Sequence, residues 1–508
     1  MESILAENQA LKARVGELAQ RLSETELLVA QLKVQIAWLK RKTYSVGKSE
    51  AADHTQLMLE LGKLEAQLAA LEAPKKKLDE CRPVVVRAKR PLPSEVFAKL
   101  PVTEVETIIP EEVKAEPEAY RQIGVEVTTI LDIVPPKLIK KEIHRLKFQR
   151  LDDKTLAPVV AAVPERMVPG GYASAGLIAY IVIQKYLRHL PLYRIEQMSA
   201  EWGAQLPRQS MVDWVRMAAE WTEVIYNRML KELKEGNYIQ LDETPIRYCD
   251  PDAGSGQTGQ GYLWAVSHPQ GDVVFDWRLS RRHGELTTLI GADYKGLMQS
   301  DGYGAYEAYD RTHPEVTWLG CWAHARRKFI QAQGENPRLV QSILKLIGRM
   351  YRCEAEWTQK NVSVAERAAL RAGPDGHVRT MGALRKLATR LLASNRVLAK
   401  SDLGKACTYL LNQWEPLSAH LRFGETRLDN NHMENAIRGT AIGKKNWLFV
   451  GHPEAGKRSA VLYSLIVSCL RHGKDPHLYL RDVLTRLPLM TNQDDLAPLL
   501  PKNWQPAG

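Results

Sequence analysis

The stretch "NYIQLDETPIRY", residues 237–248, decides the fold. Ile239 and Leu241 alternate with Tyr238, Gln240 and Asp242, the period-two pattern of a strand. Residues 174–230 before it have a helical period, so helix gives way to sheet here. On the C-terminal side, "GYLWAVSH" (261–268) and "DVVFDWRLS" (272–280) read as the second and third strands, joined by the short turn "PQG". "HGELTTLIGAD" (283–293) reads as a helix, and "GLMQSD" (296–301) as a fourth strand ending on Asp301. "VTWLGCWAH" (316–324) is a fifth strand, followed by the basic helix "ARRKFIQA" (325–332).

Three hairpin-linked strands, then helix, strand, helix, strand and helix, is the order of an RNase H-like mixed sheet. In such a sheet the first and fourth strands lie side by side, so Asp242 and Asp301 meet although far apart in sequence. A carboxylate at the C-terminal end of a strand, followed by Gly-Tyr-Gly, sits where α/β sheets place functional groups. Either aspartate alone reads as a surface or turn acid. With the strand order they read as ligands of a hard divalent cation.

Residues 331–428 are helical again and interrupt the sheet domain. "DNNHMENAIRG" (429–439) follows, on a helix returning to the sheet. Two readings compete at Glu434. Asn431 and Glu434 have capping-box spacing, in which Asn431 caps the helix and Glu434 bonds back to it. Alternatively, Glu434 is the third oxygen ligand that a cation held by Asp242 and Asp301 still needs. Asp429 and Glu425 are rival third acids, in the loop before the helix. Arg438 stands four residues on, on the face of Glu434, where it meets a phosphate. Lys444 and Lys445 are spaced to track a DNA backbone.

The remaining chain frames this core. Steps of four and three from Ile4 to Leu39 place Val15, Leu22, Val29 and Ile36 at a, with Leu11, Leu18, Leu32 and Leu39 at d. Asn8 is a polar a residue that sets register, and the pattern predicts a parallel two-stranded coiled coil. A second seam runs from Leu57 to Leu71, giving a dimerisation arm over 1–72. Residues 73–107 read as a basic, proline-containing linker with Lys75, Lys76, Lys77, Arg87, Lys89 and Arg90. A small β-containing domain over 108–160 and a helical region over 161–234 come next. In the latter, "EWGAQLPRQSMVDW" (201–214) has a glycine in a short turn between helices. It reads as either a DNA-reading helix-turn-helix, with Arg208 and Gln209 at the start of a helix reaching to about Trp214, or a plain helical hairpin. The sheet domain spans 235–330 and 429–472 around the helical insertion 331–428, and 473–508 is a C-terminal tail.

A net charge of +11 over 508 residues favours a polyanionic partner, nucleic acid first. The six cysteines show no CxxC spacing, which signals neither a zinc site nor a disulfide framework and fits a reducing cytosol. The charged N-terminus is no signal peptide, and the longest apolar runs are too short to span a bilayer, so no membrane is expected.

"LDETPI" (241–246), "SDGYGAY" (300–306), "CWAHARRKF" (321–329) and "DNNHMENAIRGTAIGKKNWLFVG" (429–451) together resemble the IS-sixty-six family of insertion-sequence transposases, of the DDE type. "DPHLYLRDVLTRLP" (475–488), "LLPKNW" (499–504), "HLPLYRIEQMSAEWG" (189–203) and the leucine-rich arm match in kind, so the resemblance covers nearly the whole chain. It implies a multidomain α plus α/β chain: a coiled coil, a helical DNA-binding region, and an RNase H-like catalytic domain interrupted by an all-helical insertion. It implies that Asp242, Asp301 and Glu434 form the catalytic set and hold two Mg²⁺ ions, with Mn²⁺ as a substitute, roughly 4 Å apart. Cleavage at the element's 3′ ends and strand transfer to target DNA would follow. Arg438, Lys444, Lys445, Arg326 and Arg327 are phosphate-contact candidates. His324, in a short Cys-x-x-His pattern with Cys321, is either a DNA contact beside the scissile bond or a packing histidine at a helix N-terminus. Double-stranded DNA, a second copy of the chain and small proteins of the same element are the implied partners, in a cytoplasmic, nucleoid-associated setting. Alternatives are an RNase H-like nuclease without strand transfer and an inactive DNA-binding derivative.

Two departures from the family pattern stand out. The region 108–148, where the family commonly has a cysteine zinc-binding segment, has no cysteine, so structural zinc is not expected. Gly439 replaces the usual proline after Arg438 and is expected to alter where the helix ends.

Overall fold

The computed structural model describes residues 136–149, 157–168, 170–250, 257–394 and 397–506, with scattered positions between 105 and 127. The leucine seams of the arm and the linker cations Lys75 to Arg90 lie outside the described residues. The chain divides into two units, Met1–Ile133 and Val134–Gly508. In the first unit the described elements include a short helix, α1 (Glu111–Ala115).

The second unit opens with a two-stranded ladder, β1 (Lys147–Phe148) against β2 (Val159–Val160). Three helices follow: α2 (Ala175–Tyr186), α3 (Leu192–Glu201) and α4 (Arg208–Lys234). The sheet is then laid down by β3 (Tyr238–Cys249), β4 (Thr258–Ser267), β5 (Val273–Arg278), α5 (His283–Ile290), β6 (Gly296–Gln299), α6 (Gly304–Thr312), β7 (Val316–Leu319) and α7 (Trp322–Gln331). This is the element order read from the sequence. Its spatial order is β5-β4-β3-β6-β7, antiparallel through the first three and parallel through the last three. The first and fourth strands of the sheet are therefore neighbours.

That adjacency needs a close backbone approach at the start of β6. Gly296 has φ +129, and a Cβ there would stand 2.4 Å from the Asn237 carbonyl oxygen. Glycine alone reaches that conformation without strain and leaves room for β3 beside it. At the far edge, helix α14 (Pro453–Arg471) covers β5. The hydroxyls of Ser464 and Ser468 accept the Phe275 and Val273 N–H groups at 2.8 and 2.9 Å. These donors would otherwise be an open ladder.

Helices α8 (Pro337–Gln359), α9 (Val364–Ala372), α10 (His377–Ala393), α11 (Asp402–Asn412) and α12 (Trp414–Ala419) form the insertion. The apolar faces of α8, α10, α11 and α12 share a core with α7, in which Trp322, Phe329, Ile343, Ile347, Met381, Leu410 and Leu417 are buried. Helix α13 (Asn431–Trp447) then returns to β3 and β4. Its buried residues Met433, Ala436, Ile437, Thr440 and Gly443 recur at helical spacing and form the face laid on the sheet. No helix among the described residues is long and apolar enough to cross a membrane.

Several local expectations change. The helix from Arg208 does not stop near Trp214 but runs to Lys234, because buried Met211, Trp214, Val215, Ala218, Thr222, Ile225 and Met229 extend one apolar stripe. Gly439 does not alter the end of α13. The helix continues through it to Trp447 and closes at Leu448, whose φ of +64 turns the chain back towards β3. The strand ladder of β6 stops at Gln299, so Asp301 stands just beyond the strand. The C-terminal segment is no loose tail: α15 (Pro476–Arg486) packs on α2, and Leu499, Leu500 and Trp504 are buried in the main core.

Candidate active site

The β3–β6 ladder ends at the pair Gln240↔Gln299. Two residues further along each segment stand Asp242, still within β3, and Asp301, just past the end of β6. The Asp242 Oδ1 accepts the Glu243 N–H at 2.9 Å, and the Asp301 Oδ1 accepts the Tyr303 N–H at 3.0 Å. Burial pushes the Asp242 carboxyl up to about 8, reinforced by the charges of Glu243, Asp301 and Glu434. Burial is the main cost of ionising Asp242, and the charges of Asp301 and, least, Glu434 add to it, so the three acids read from the sequence do act on one another.

Glu434 reaches this region on the first turn of α13. It does not fold back on a capping amide. The cap position is Asn430 rather than Asn431, with no side-chain cap bond, and the Asn431 amide donates to Asp429 at 2.8 Å. The Glu434 carboxylate instead accepts two hydrogen bonds from Arg327 Nη2, at 2.9 and 2.7 Å. His324 Nδ1 stands 3.7 Å from Glu434 Oε1 and is buried without a hydrogen-bond partner. Burial holds the His324 pKa below its ordinary value, so the ring is neutral near pH 7. The helix α7 that carries both residues starts at Trp322, which puts His324 in its first turn and Arg327 one turn later, facing α13.

The other candidates divide by what they touch. Lys444 lies on the sheet, donating to Thr244 Oγ1 at 3.1 Å and to the Pro245 carbonyl at 2.9 Å, so it is anchored rather than extended to solvent. Arg438 and Lys445 are exposed on α13, and Arg326 is exposed on α7. Arg208 is fastened to Glu196 of α3 through three hydrogen bonds, and Gln209 is exposed beside it. The turn between α3 and α4 is thus held by an ion pair, which fits a helix-turn-helix and a plain hairpin alike. Rival acid Asp429 caps its own loop, accepting from Asn431 N and Nδ2.

The sequence reading missed Glu243, next to Asp242. Its side chain is 3% exposed and is held by Arg281 at 2.6 Å and by the Tyr306 hydroxyl. Arg281 also stacks over Tyr303 at 3.6 Å. Two adjacent acids in "DET" were the available signal, because a strand turns neighbours to opposite faces and the second acid needs its own partner.

Two hard carboxylate donors side by side at Asp242 and Asp301 fit a divalent cation. Glu434 is turned to Arg327. Among the described residues no three His, Cys, Asp or Glu side chains are gathered closely enough to hold one ion. Burial pushes the Cys321 thiol up to about 12, and its Sγ accepts the Asn430 N–H at 3.3 Å. A cleft of about 560 Å³ lined by Lys231, Lys234, Asn237, Tyr294 and Lys295 opens at the other end of β3, away from these acids.

The chain is similar along 97% of its length to uncharacterized protein y4jD of Sinorhizobium fredii, at 30% identity and covering 98% of that relative. Uncharacterized protein y4qI of the same organism is 28% identical over 98% of the chain and 97% of its own length. The sequence model of the Transposase IS66 family matches residues 170–458, and that of the IS66 C-terminal element matches 464–502. Helical middle, sheet, insertion and α13 all fall inside the first match, and α15 with the Trp504-side packing segment falls largely in the second. The chain belongs to the Transposase IS66 family, the transposases of insertion sequences.

Proposed function

We propose that the chain is a DDE transposase, with an RNase H-like catalytic domain that cleaves the 3′ ends of its element and joins them to target DNA. The observation that carries this reading is the register of two parallel strands. Gln240↔Gln299 pairing sets Asp242 and Asp301 at matching positions, and α13 brings Glu434 near enough to raise the Asp242 carboxyl. Asp242, Asp301 and Glu434 would hold Mg²⁺, or Mn²⁺ in its place. The cation would supply activation of water or a 3′-hydroxyl and neutralise the leaving oxygen.

The chain's own groups do the rest. Exposed Arg438, Lys445 and Arg326 meet DNA phosphates around the acids. Arg327 is half exposed and carries a guanidinium suited to phosphate, so DNA competes for it and frees the Glu434 carboxylate. Neutral His324 sits beside that exchange as a hydrogen-bonding group to DNA. The leucine arm 1–72 pairs two protomers so that two element ends are held together, with the helical region 161–234 and the basic linker adding contacts to DNA.

Asp242→Asn, Asp301→Asn and Glu434→Gln, each assayed for Mg²⁺-dependent cleavage of end-containing DNA, test the reading. Cleavage surviving any one change removes that residue from the site. Cleaved ends that never join target DNA leave a nuclease. DNA binding without any cleavage leaves a DNA-binding protein.

A further inference from the structure

Each aspartate is preceded two residues earlier by a glutamine, in "QLD" (240–242) and "QSD" (299–301). Both glutamines are 0% exposed. Gln240 Nε2 donates to Gln299 Oε1 at 2.7 Å across the last rung of the β3–β6 ladder. The same Nε2 donates to the Asp429 carbonyl at 3.1 Å. Gln299 Nε2 donates to the Arg427 carbonyl at 2.8 Å. The Tyr238 hydroxyl donates to Gln299 Oε1 at 2.6 Å and accepts the Arg427 N–H at 3.2 Å. Asn430 closes the set, donating its side-chain amide to the Leu241 carbonyl.

We infer that Gln240 and Gln299 are positioning residues, a buried amide clasp that sets where Asp242, Asp301 and Glu434 stand relative to one another. The clasp ties together the two strands that end in the aspartates and the segment 427–430 that leads into α13. Each amide bonds to its neighbour and to a carbonyl of that segment. A shift of the segment by one residue would break both links at once, so the start of α13 is fixed in register with the strand ends. The network is not the filling that stability alone would choose. Gln240 Oε1 and Asn430 Oδ1 are buried without hydrogen-bond partners. Apolar side chains of similar volume would avoid those orphaned acceptors. What apolar side chains lack is direction, and direction is what a set of three separate carboxylates requires.

The inference rests on the proposed catalytic set for its activity readout, and the experiment separates the two. Full-length Gln240→Met, Gln299→Met, Tyr238→Phe and Asp242→Asn proteins are compared for melting temperature, affinity for end-containing DNA, Mn²⁺ binding by calorimetry, and kcat and KM for cleavage. The glutamine variants are expected to melt within about 3 °C of the unmodified protein. They should also keep their DNA affinity and KM. Their Mn²⁺ binding and kcat should each fall about tenfold or more, the scale on which partners of metal ligands act. Tyr238→Phe removes one hydroxyl, leaves both amides in place and should lower both by only about threefold, below that scale. It carries the test if the glutamine variants do not fold. Folded variants whose Mn²⁺ affinity and kcat stay within twofold overturn the clasp, as does a loss of DNA affinity and melting temperature in step with activity. If Asp242→Asn itself still cleaves and binds Mn²⁺, the catalytic reading fails instead.

Discussion

Asp242 and Asp301 reach the site by a different route from Glu434. The aspartates are delivered by strands: parallel β3 and β6 pair through Tyr238↔Leu297, Ile239↔Met298 and Gln240↔Gln299, and the ladder brings the two acids side by side just past its last rung, where the glutamine clasp fixes their spacing. Glu434 is delivered by side chains. Helix α13 is held on the sheet by its buried face and by Lys444 on Thr244, and the carboxylate itself is held by Arg327. A ladder tolerates most side chains away from the two clasp glutamines so long as the strand period is kept, whereas a helix docked by side chains moves when one of them changes. One half of the site is therefore set by secondary structure and the other by packing.

The sharpest way to break the comparison is chemical. Asp242→Asn and Asp301→Asn keep the ladder, so the proteins should fold and bind DNA while cleavage falls by on the order of 10³-fold, the scale of removing a group that stabilises transition-state charge. Activity assays beside circular dichroism check this. Packing comes next. Met433 is buried in the docked face, and Met433→Ala should cost about 2–5 kcal/mol in urea unfolding. A matching cost in cleavage beyond the loss of fold would show the acid being displaced.

Proton competition is a smaller effect. Because the Asp242 carboxyl titrates at about 8 when folded, above its ordinary range, the folded protein holds that proton more tightly than the unfolded chain. The associated stability is present in acid and is lost as pH rises through about 8. A cation must displace the same proton, so Mn²⁺ affinity should rise by roughly tenfold per pH unit from 6 towards 8 and then level off. Calorimetry at three pH values, with Asp242→Asn as the flat control, reads this out. The smallest effect belongs to Arg327. Arg327→Gln should tighten Mn²⁺ binding in the absence of DNA by about twofold to fivefold, since a partly exposed ion pair contributes little. Unchanged or weaker Mn²⁺ binding would remove Arg327 as a competitor for Glu434.

Much of the site was legible because strand and helix periods are local. Alternation in "NYIQLDETPIRY", the hairpin turns and the helix–strand succession gave the element order, and the likeness of that order to an RNase H-like sheet placed β3 beside β6, and with them Asp242 beside Asp301. The same locality misled at boundaries. Capping-box spacing at Asn431 and Glu434 is real in the sequence, yet Glu434 found a stronger partner in a guanidinium 107 residues away. Lys444 read as a free cation because nothing near it in sequence accepts its hydrogen bonds, and its acceptors lie 200 and 199 residues away on β3. The glutamines before the aspartates were visible, but as strand residues their roles were silent.

By itself the sequence determined the element order and the helix carrying Glu434, since these follow from periodicity and turn chemistry within a few residues; the adjacency of the two aspartate strands came from the likeness of that order to an RNase H-like sheet, and the choice of Glu434 from the family resemblance. Only the tertiary structure decided that Glu434 is held by Arg327, that Lys444 is spent on the sheet, and that Gln240 and Gln299 clasp the strands to the approach of α13. Charges and amides bond to whatever the fold brings within about 3 Å, and that neighbourhood is a property of packing, not of sequence distance.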